Sequence, residues 1–310
     1  MYESFFGFSE KPFTLIPDPS FLYLGRQHGM GLTMLQYGLT NRAGISVLTG
    51  EIGSGKTTLV RKLLDELGDD IEVGLISNTH GAFGGLLEWV AVAFDLPAAA
   101  GSRAAQYDEF SRFLIEQYAR GRRTVLIVDE AQNLDLDTLE ELRLLTNINA
   151  DKDLVLQLVL VGQPELREKL RSPALVQFVQ RIGVDYRLRP LTVEDTMAYV
   201  RHRLTVAGGD VDLFDEAALR FVHYHCGGVP RLINALCDTA LVYAFADGAR
   251  RIDAGLIAGV ARERAGAGLF GAGSTSDAAI AQDSAAIERN LARAYEEAAV
   301  GHGETPCHDQ

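Results

Sequence analysis

Eight residues constrain this chain more than any other stretch: Gly50-Glu51-Ile52-Gly53-Ser54-Gly55-Lys56-Thr57. They fit G-x-x-x-x-G-K-[ST] at every fixed position. A loop of this kind works only between a buried strand and the start of a helix, and both flanks comply. Ile45 to Thr49 is an apolar run, and Thr57 to Leu67 has helical spacing. The glycines permit torsions that turn a row of backbone N–H groups toward phosphate oxygens. The helix start adds the positive end of its dipole. Residues 50–58, through Thr58, are therefore expected to cradle phosphates. Lys56 should reach the β- and γ-phosphates, and Thr57 should place its hydroxyl on Mg2+.

From residue 44 onward, short apolar strands alternate with helices. The strands are expected at Ile45–Thr49, Glu72–Ser77, Thr124–Val128, Leu154–Val161 and Val184–Leu188. Helices are expected at Thr57–Leu67, Phe83–Phe94, Tyr107–Arg120 and Asp137–Asn147. This alternation over residues 44–190 predicts an α/β unit, a doubly wound parallel sheet covered on both faces. After Thr192 the strand signal stops. Thr192-Val-Glu-Asp195 reads as a capping box for a helix to about Ala207. Further helices near 215–225, 230–246 and 253–264 make residues 191–265 a separate all-helical unit.

Upstream, Pro12, Pro17 and Pro19 argue against a regular helix before about residue 25. Gly25 to Asn41 then reads as a helix, within a segment 1–43 that precedes the α/β unit. Gly266 to Ser276 reads as a flexible linker, and 266–310 as linker plus acidic tail. Residues 280–299 are either a mobile terminus or a helix that docks a partner.

Thr124-Val-Leu-Ile-Val-Asp129-Glu130 is an apolar strand ending in two carboxylates. Burying acids is costly unless something compensates them. A metal and a nucleophilic water give the reason: Asp129 to hold magnesium, Glu130 to polarise the water. Gln163 ends the Leu154–Val161 strand and could hydrogen-bond that water or the γ-phosphate. Asn78 ends the Glu72–Ser77 strand and could bond Glu130. Gln132 lies close by with an open role. Arg181, just before the last strand, could project into a neighbouring subunit's nucleotide, with Arg187 and Arg189 as weaker alternatives. Arg231 opens a helix after Gly227-Gly-Val-Pro230, where its charge opposes the helix dipole unless an anion sits opposite. A phosphate contact is expected there.

Composition narrows the partners. The 310 residues are 47% hydrophobic and 23% charged, which excludes wholesale disorder. The net charge of −13 makes broad nucleic-acid binding a poor expectation, a local basic patch aside. Cysteines at 226, 237 and 307 form no C-x-x-C pair and read as reduced thiols of a cytoplasmic protein. No signal peptide is expected at the N-terminus. No apolar stretch approaches the ~18–20 residues of a membrane span.

These motifs together resemble the P-loop AAA+ ATPases, most of all the general secretion pathway protein A group, a relative of TniB-type transposition ATPases. The resemblance runs from residue 1 to about 264. It rests on Phe5-Phe-Gly-Phe8, Pro12-Phe13, Pro17-Asp18-Pro19, Phe21-Leu22-Tyr23, Leu48 to Thr58, Asp129-Glu-Ala-Gln132, Leu160 to Leu166, Gln180-Arg181-Ile182 and Gly227 to Arg231.

The resemblance implies an AAA+ nucleotide domain with a helical lid over 191–265, bound ATP and Mg2+, and ATP hydrolysis. It implies Gln163 as sensor 1, Arg181 as an arginine finger acting in trans within a homo-oligomer, and Arg231 as sensor 2. The N-terminal segment would lie near the adenine, with Phe13 or Pro17 contributing. The activity implied is remodelling of an oligomer or protein partner in a secretion, envelope or exopolysaccharide export system. The protein would be cytoplasmic, reaching the inner membrane through partners. A regulatory nucleotide switch and a DNA-associated transposition-type ATPase are the alternatives. Members of the secretion group often continue into a membrane helix and a peptidoglycan-binding domain. Neither is evident in these 310 residues, whose length is closer to the exopolysaccharide and protein-sorting ATPases.

Overall fold

The computed structural model describes residues 1–77, 84–97, 102–150 and 153–266. The chain opens with a one-turn helix α1 (Glu3–Phe6), a 3-10 turn at Pro19–Phe21 and helix α2 (Arg26–Thr40). The α/β unit follows: β1 (Ile45–Gly50), α3 (Lys56–Asp65), β2 (Ile71–Ile76), α4 (Leu86–Ala93), α5 (Arg103–Ala119), β3 (Arg123–Val128) and α6 (Leu136–Leu145). A two-residue hairpin, β4 (Asn149–Ala150) with β5 (Asp153–Leu154), leads into β6 (Leu156–Gly162). Then come α7 (Pro164–Leu170), α8 (Val176–Val179) and β7 (Ile182–Leu188). Four helices close the described chain: α9 (Val193–Val206), α10 (Glu216–Cys226), α11 (Pro230–Ala246) and α12 (Ala254–Gly266).

Five strands form one parallel sheet in the order β2-β3-β6-β1-β7. Alternation along the central strands feeds two cores. Val125, Ile127, Val159 and Val161 face α2 and α3, beside Leu35, Leu59 and Leu63. Leu126, Val128, Leu158 and Leu160 face the other way, onto Val90, Phe110, Leu114 and Leu142. The sheet is therefore covered on both faces, as the unbroken apolar runs require.

Three local expectations need correction. A helix does form before residue 25: α1 precedes all three prolines and stops at Gly7, whose φ of 78° suits a left-handed cap. The Leu154–Val161 strand is really a hairpin end plus a strand starting at Leu156. Helix α5 begins four residues earlier than Tyr107. The possible tail helix at 280–299 lies outside the described residues.

The segment 1–43 splits between two bodies. Helix α2 belongs to the α/β core through Leu32, Leu35 and Leu39. Residues 2–23 instead complete the core of the helical lid, where Tyr2, Phe8, Phe13 and Phe21 pack with Val200, Leu204, Phe214 and Leu236. Each of these phenylalanines contributes about 1.5–3 kcal/mol of burial. Gly209 is required against Phe8, because a Cβ there would sit 2.0 Å from the ring. The lid thus uses the chain's own beginning as a strap. Cys226 and Cys237 are buried in this core and form no disulfide among the described residues. Among the described residues no helix is long and apolar enough to cross a membrane.

Desolvation of histidines should also make the fold acid-sensitive. Desolvation holds His28, His202, His223 and His225 below the ordinary histidine value of about 6.5. Arg203 adds to this at His202 and Arg264 at His225, while Asp195 and Glu194 oppose it at His28 and His223. The unfolded chain therefore binds protons before the folded one does, and stability falls as pH drops below about 6.5. Melting curves between about pH 7.5 and 5.5 should show that decline, ahead of the carboxylate window below about pH 4. A flat curve across the upper window would remove the desolvated imidazoles as a cause.

Candidate functional site

Strands β3, β6 and β1 lie side by side and parallel, so their C-terminal ends deliver three loops to one edge of the sheet. Those loops hold the eight-residue glycine run, the Asp129-Glu130 pair and Gln163. Sequence spacing placed each at a strand end, and the sheet order makes them neighbours.

The glycine run has the backbone the motif needs. Gly53 and Gly55 sit at φ of 75° and 95°, in the left-handed region that favours glycine. A Cβ on Gly53 would also lie 2.4 Å from the Cβ of Arg231. Lys56 is buried and curls back, its Nζ donating to the carbonyls of Gly50 at 2.8 Å and Glu51 at 2.9 Å. Burial lowers its pKa, and the carboxylates of Glu130 and Asp129 push it back up.

Thr57 Oγ1 donates to Asp129 Oδ2 at 3.0 Å, and the Glu130 N–H donates to Asp129 Oδ1 at 2.9 Å. A hydroxyl and a carboxylate one hydrogen bond apart are hard oxygen donors of the kind magnesium takes with phosphates. Among the described residues no cluster of three or more His, Cys, Asp or Glu forms a separate metal site.

Glu130 itself has φ of 54°, a strained position for a side-chain-bearing residue. Its Oε2 accepts from Gln132 Nε2 at 2.5 Å and from Gln163 Nε2 at 3.0 Å. Gln132 Oε1 in turn accepts the Gln163 N–H at 3.0 Å. Gln163 thus bonds the acid, where the sequence pointed to the water or the γ-phosphate. Gln132, whose role was open, ties the two together. The partner foreseen for Glu130, Asn78, lies outside the described residues.

A cavity of about 370 Å3 opens beside these groups. Lys56, Thr57, Thr58, Glu130, Gln163 and Arg231 line one part of it. Arg231 reaches it from the lid, and its N–H donates to the Gly53 carbonyl at 3.1 Å. Residues 14–18 of the strap line another part, so Pro17 is at the cavity. Phe13 is not: it is buried against Phe214, ring centroids 6.0 Å apart.

Sequence reasoning missed the groups that hold the strap in place. Tyr199 Oη donates to Asn234 Oδ1 at 2.7 Å, and Asn234 Nδ2 donates to the Thr14 carbonyl at 3.3 Å. Arg203 donates from Nη1 to Tyr199 Oη at 3.1 Å and from Nε to the Pro12 carbonyl. Arg61, on the helix after the glycine run, donates to the Pro17 carbonyl at 2.9 Å. The i,i+4 spacing of Tyr199 and Arg203 was the only sequence signal.

Arg181 lies elsewhere. It precedes β7 at the N-terminal end of the sheet, about 20 Å of strand from the cavity edge. Its Nη1 donates to Thr146 Oγ1 at 3.2 Å. The weaker alternative Arg187 pairs with Glu51 at 3.7 Å, beside the glycine run.

Fold and site together define the class: the chain is a P-loop protein of the AAA+ type, and residues 39–170 match the family described as AAA domain. More particularly, it is 45% identical over 268 residues to the general secretion pathway protein A of Aeromonas hydrophila. That match takes in 86% of this chain and 49% of the relative, so the chain spans about half the relative's length. Among solved structures, the Aeropyrum pernix ORC2 protein superposes with a TM-score of 0.60 at 16% identity, over 83% of this chain and 72% of that one. Cdc6p from Pyrobaculum aerophilum gives a TM-score of 0.57 at 18% identity, over 76% and 68%. At such identities the shared feature is the fold.

Proposed function

We propose that the chain binds Mg-ATP in this cavity, hydrolyses it, and passes the nucleotide state through the lid to an oligomer or protein partner. The observation that carries this is the convergence of Thr57, Asp129, Glu130 and Gln163 beside the glycine run. In this reading Gly50 to Thr58 cradle the phosphates, and Lys56 exchanges two carbonyl partners for phosphate oxygens. Thr57 and Asp129 would hold the magnesium ion, which neutralises phosphate charge when bound. Glu130 accepts a proton from the attacking water, and Gln132 and Gln163 hold its carboxylate in place. Arg231 links the γ-phosphate to the lid, and the Arg231 N–H to Gly53 couples that movement to the loop.

Arg181 is too far from its own cavity to serve it and is assigned to a neighbour's nucleotide, in trans. Arg181→Ala should leave ADP affinity unchanged and lower turnover about tenfold or more, the worth of one charge-assisted hydrogen bond. Mixing Arg181→Ala with Glu130→Gln protein should recover turnover, because each lends the other its intact group. Failure to recover, with both variants assembled, rules out sharing between subunits.

The likeness to a protein named for the general secretion pathway supports a client in a secretion system, and an envelope or exopolysaccharide export system at the cytoplasmic side of the inner membrane is proposed alongside it. One observation favours a second reading, a switch with slow basal turnover: both amides bond Glu130 Oε2, so a partner that moves Gln132 or Gln163 would change how the carboxylate meets water. Magnesium-dependent phosphate release from ATP, measured alone and with candidate partners, tests both readings. Turnover that EDTA leaves intact contradicts the first. Fast basal turnover that no partner changes contradicts the second.

A further inference from the structure

His28 stands in the first turn of α2, far in sequence from the phosphate loop, yet it is buried against that loop and lines the cavity. Its Nε2 lies 2.8 Å from the Ser54 carbonyl oxygen. A carbonyl only accepts, so Nε2 carries the hydrogen. Nδ1 is buried and has no partner among the described residues. A proton there would find no acceptor, and burial already holds the ring below its ordinary pKa. The ring is therefore neutral, with one tautomer selected by its surroundings.

The Ser54 carbonyl shares a peptide plane with the Gly55 N–H. In a trans peptide the two point in opposite directions. A bond that pins the oxygen toward α2 therefore turns the Gly55 N–H away from α2. Gly55 is doubly specified at this contact: its φ is 95°, and a Cβ would stand 2.9 Å from His28 Nε2.

We propose that His28 is a positioning residue of the phosphate loop, holding the Ser54 carbonyl so that the Gly55 amide stays aimed at a bound phosphate. This rests on the reading of the loop as a nucleotide cradle. It gives α2 a task beyond packing, since its core contacts through Leu35 and Leu39 lie on later turns.

The test compares His28→Gln, whose amide nitrogen lies as many bonds from the backbone as Nε2, with His28→Leu, which packs but cannot donate. Affinity for ADP without magnesium is read by calorimetry, and nucleotide-free stability by melting. His28→Leu should bind ADP about tenfold more weakly, the worth of one oriented hydrogen bond. His28→Gln should bind within about twofold of wild type. The KM for ATP should rise in the leucine variant with kcat little changed, because Glu130 and its amides are untouched.

Equal ADP affinity in wild type and His28→Leu overturns the proposal. So does equal weakening in both variants, which would assign the effect to ring shape. Should His28→Leu fail to fold, His28→Asn, one atom too short to reach, takes its place. If wild type itself binds no ADP, the nucleotide reading falls first and this proposal with it. Binding by wild type and by the leucine variant alike sinks this proposal alone.

Discussion

Replacing Lys56 with alanine is expected to weaken nucleotide binding by about 100-fold or more, the largest effect foreseen for a single change. Its ammonium is one of the few cations at the cavity and is mostly desolvated. Two charge-assisted hydrogen bonds to phosphate oxygens are worth about 1.5–3 kcal/mol each. The same group also bonds the Gly50 and Glu51 carbonyls. Alanine removes these bonds as well, so the loop should also exchange its amide hydrogens faster.

A melting experiment separates lost binding from lost folding. ADP at a hundred times its Kd should stabilise the wild type by about 2.7 kcal/mol. The variant should melt near the wild-type temperature without nucleotide and gain almost nothing when ADP is added. A full ADP-induced shift in the alanine variant would show that Lys56 does not contact phosphate.

Glu130→Gln is expected to retain nucleotide and to lose turnover by about 10²–10⁴-fold, the usual contribution of a positioned general base. The substitution is close to isosteric. Its amide oxygen can accept from Gln132 and Gln163 as the carboxylate does, and the backbone at φ of 54° need not move. What disappears is the ability to take a proton. ATP should therefore stay bound and unhydrolysed, which chromatography of the bound nucleotide reads directly. Glu130→Ala makes a useful contrast, since it strands two amide donors and should lower stability as well. Unimpaired turnover by Glu130→Gln would remove Glu130 as the base.

Much of the site was legible because its information is local. The glycine run, the two acids and Gln163 each sit at the end of an apolar strand. Helical periodicity after Thr192 marked the lid. Arg231, singled out by an unfavourable charge at a helix start, lines the cavity. The hydrogen bond from Gln163 to Glu130 was not legible, because it depends on the side chain of Gln132, 31 residues earlier. Phe13 was misplaced for a related reason. An aromatic residue in a proline-rich segment signals burial, but not whether the burial lies in the lid or in the cavity.

The sequence by itself determined the glycine-rich loop after β1, the two carboxylates ending β3, the parallel sheet and the change to an all-helical unit. All of these follow from torsional preference and periodicity within about a dozen residues. Only the tertiary structure decided that the N-terminal strap belongs to the lid core, that Tyr199, Arg203 and Asn234 clamp it over the cavity, and that His28 meets the Ser54 carbonyl. Those pairings join residues 26 to 220 positions apart. They depend on how two packed bodies settle against each other, and no run of neighbouring residues encodes that.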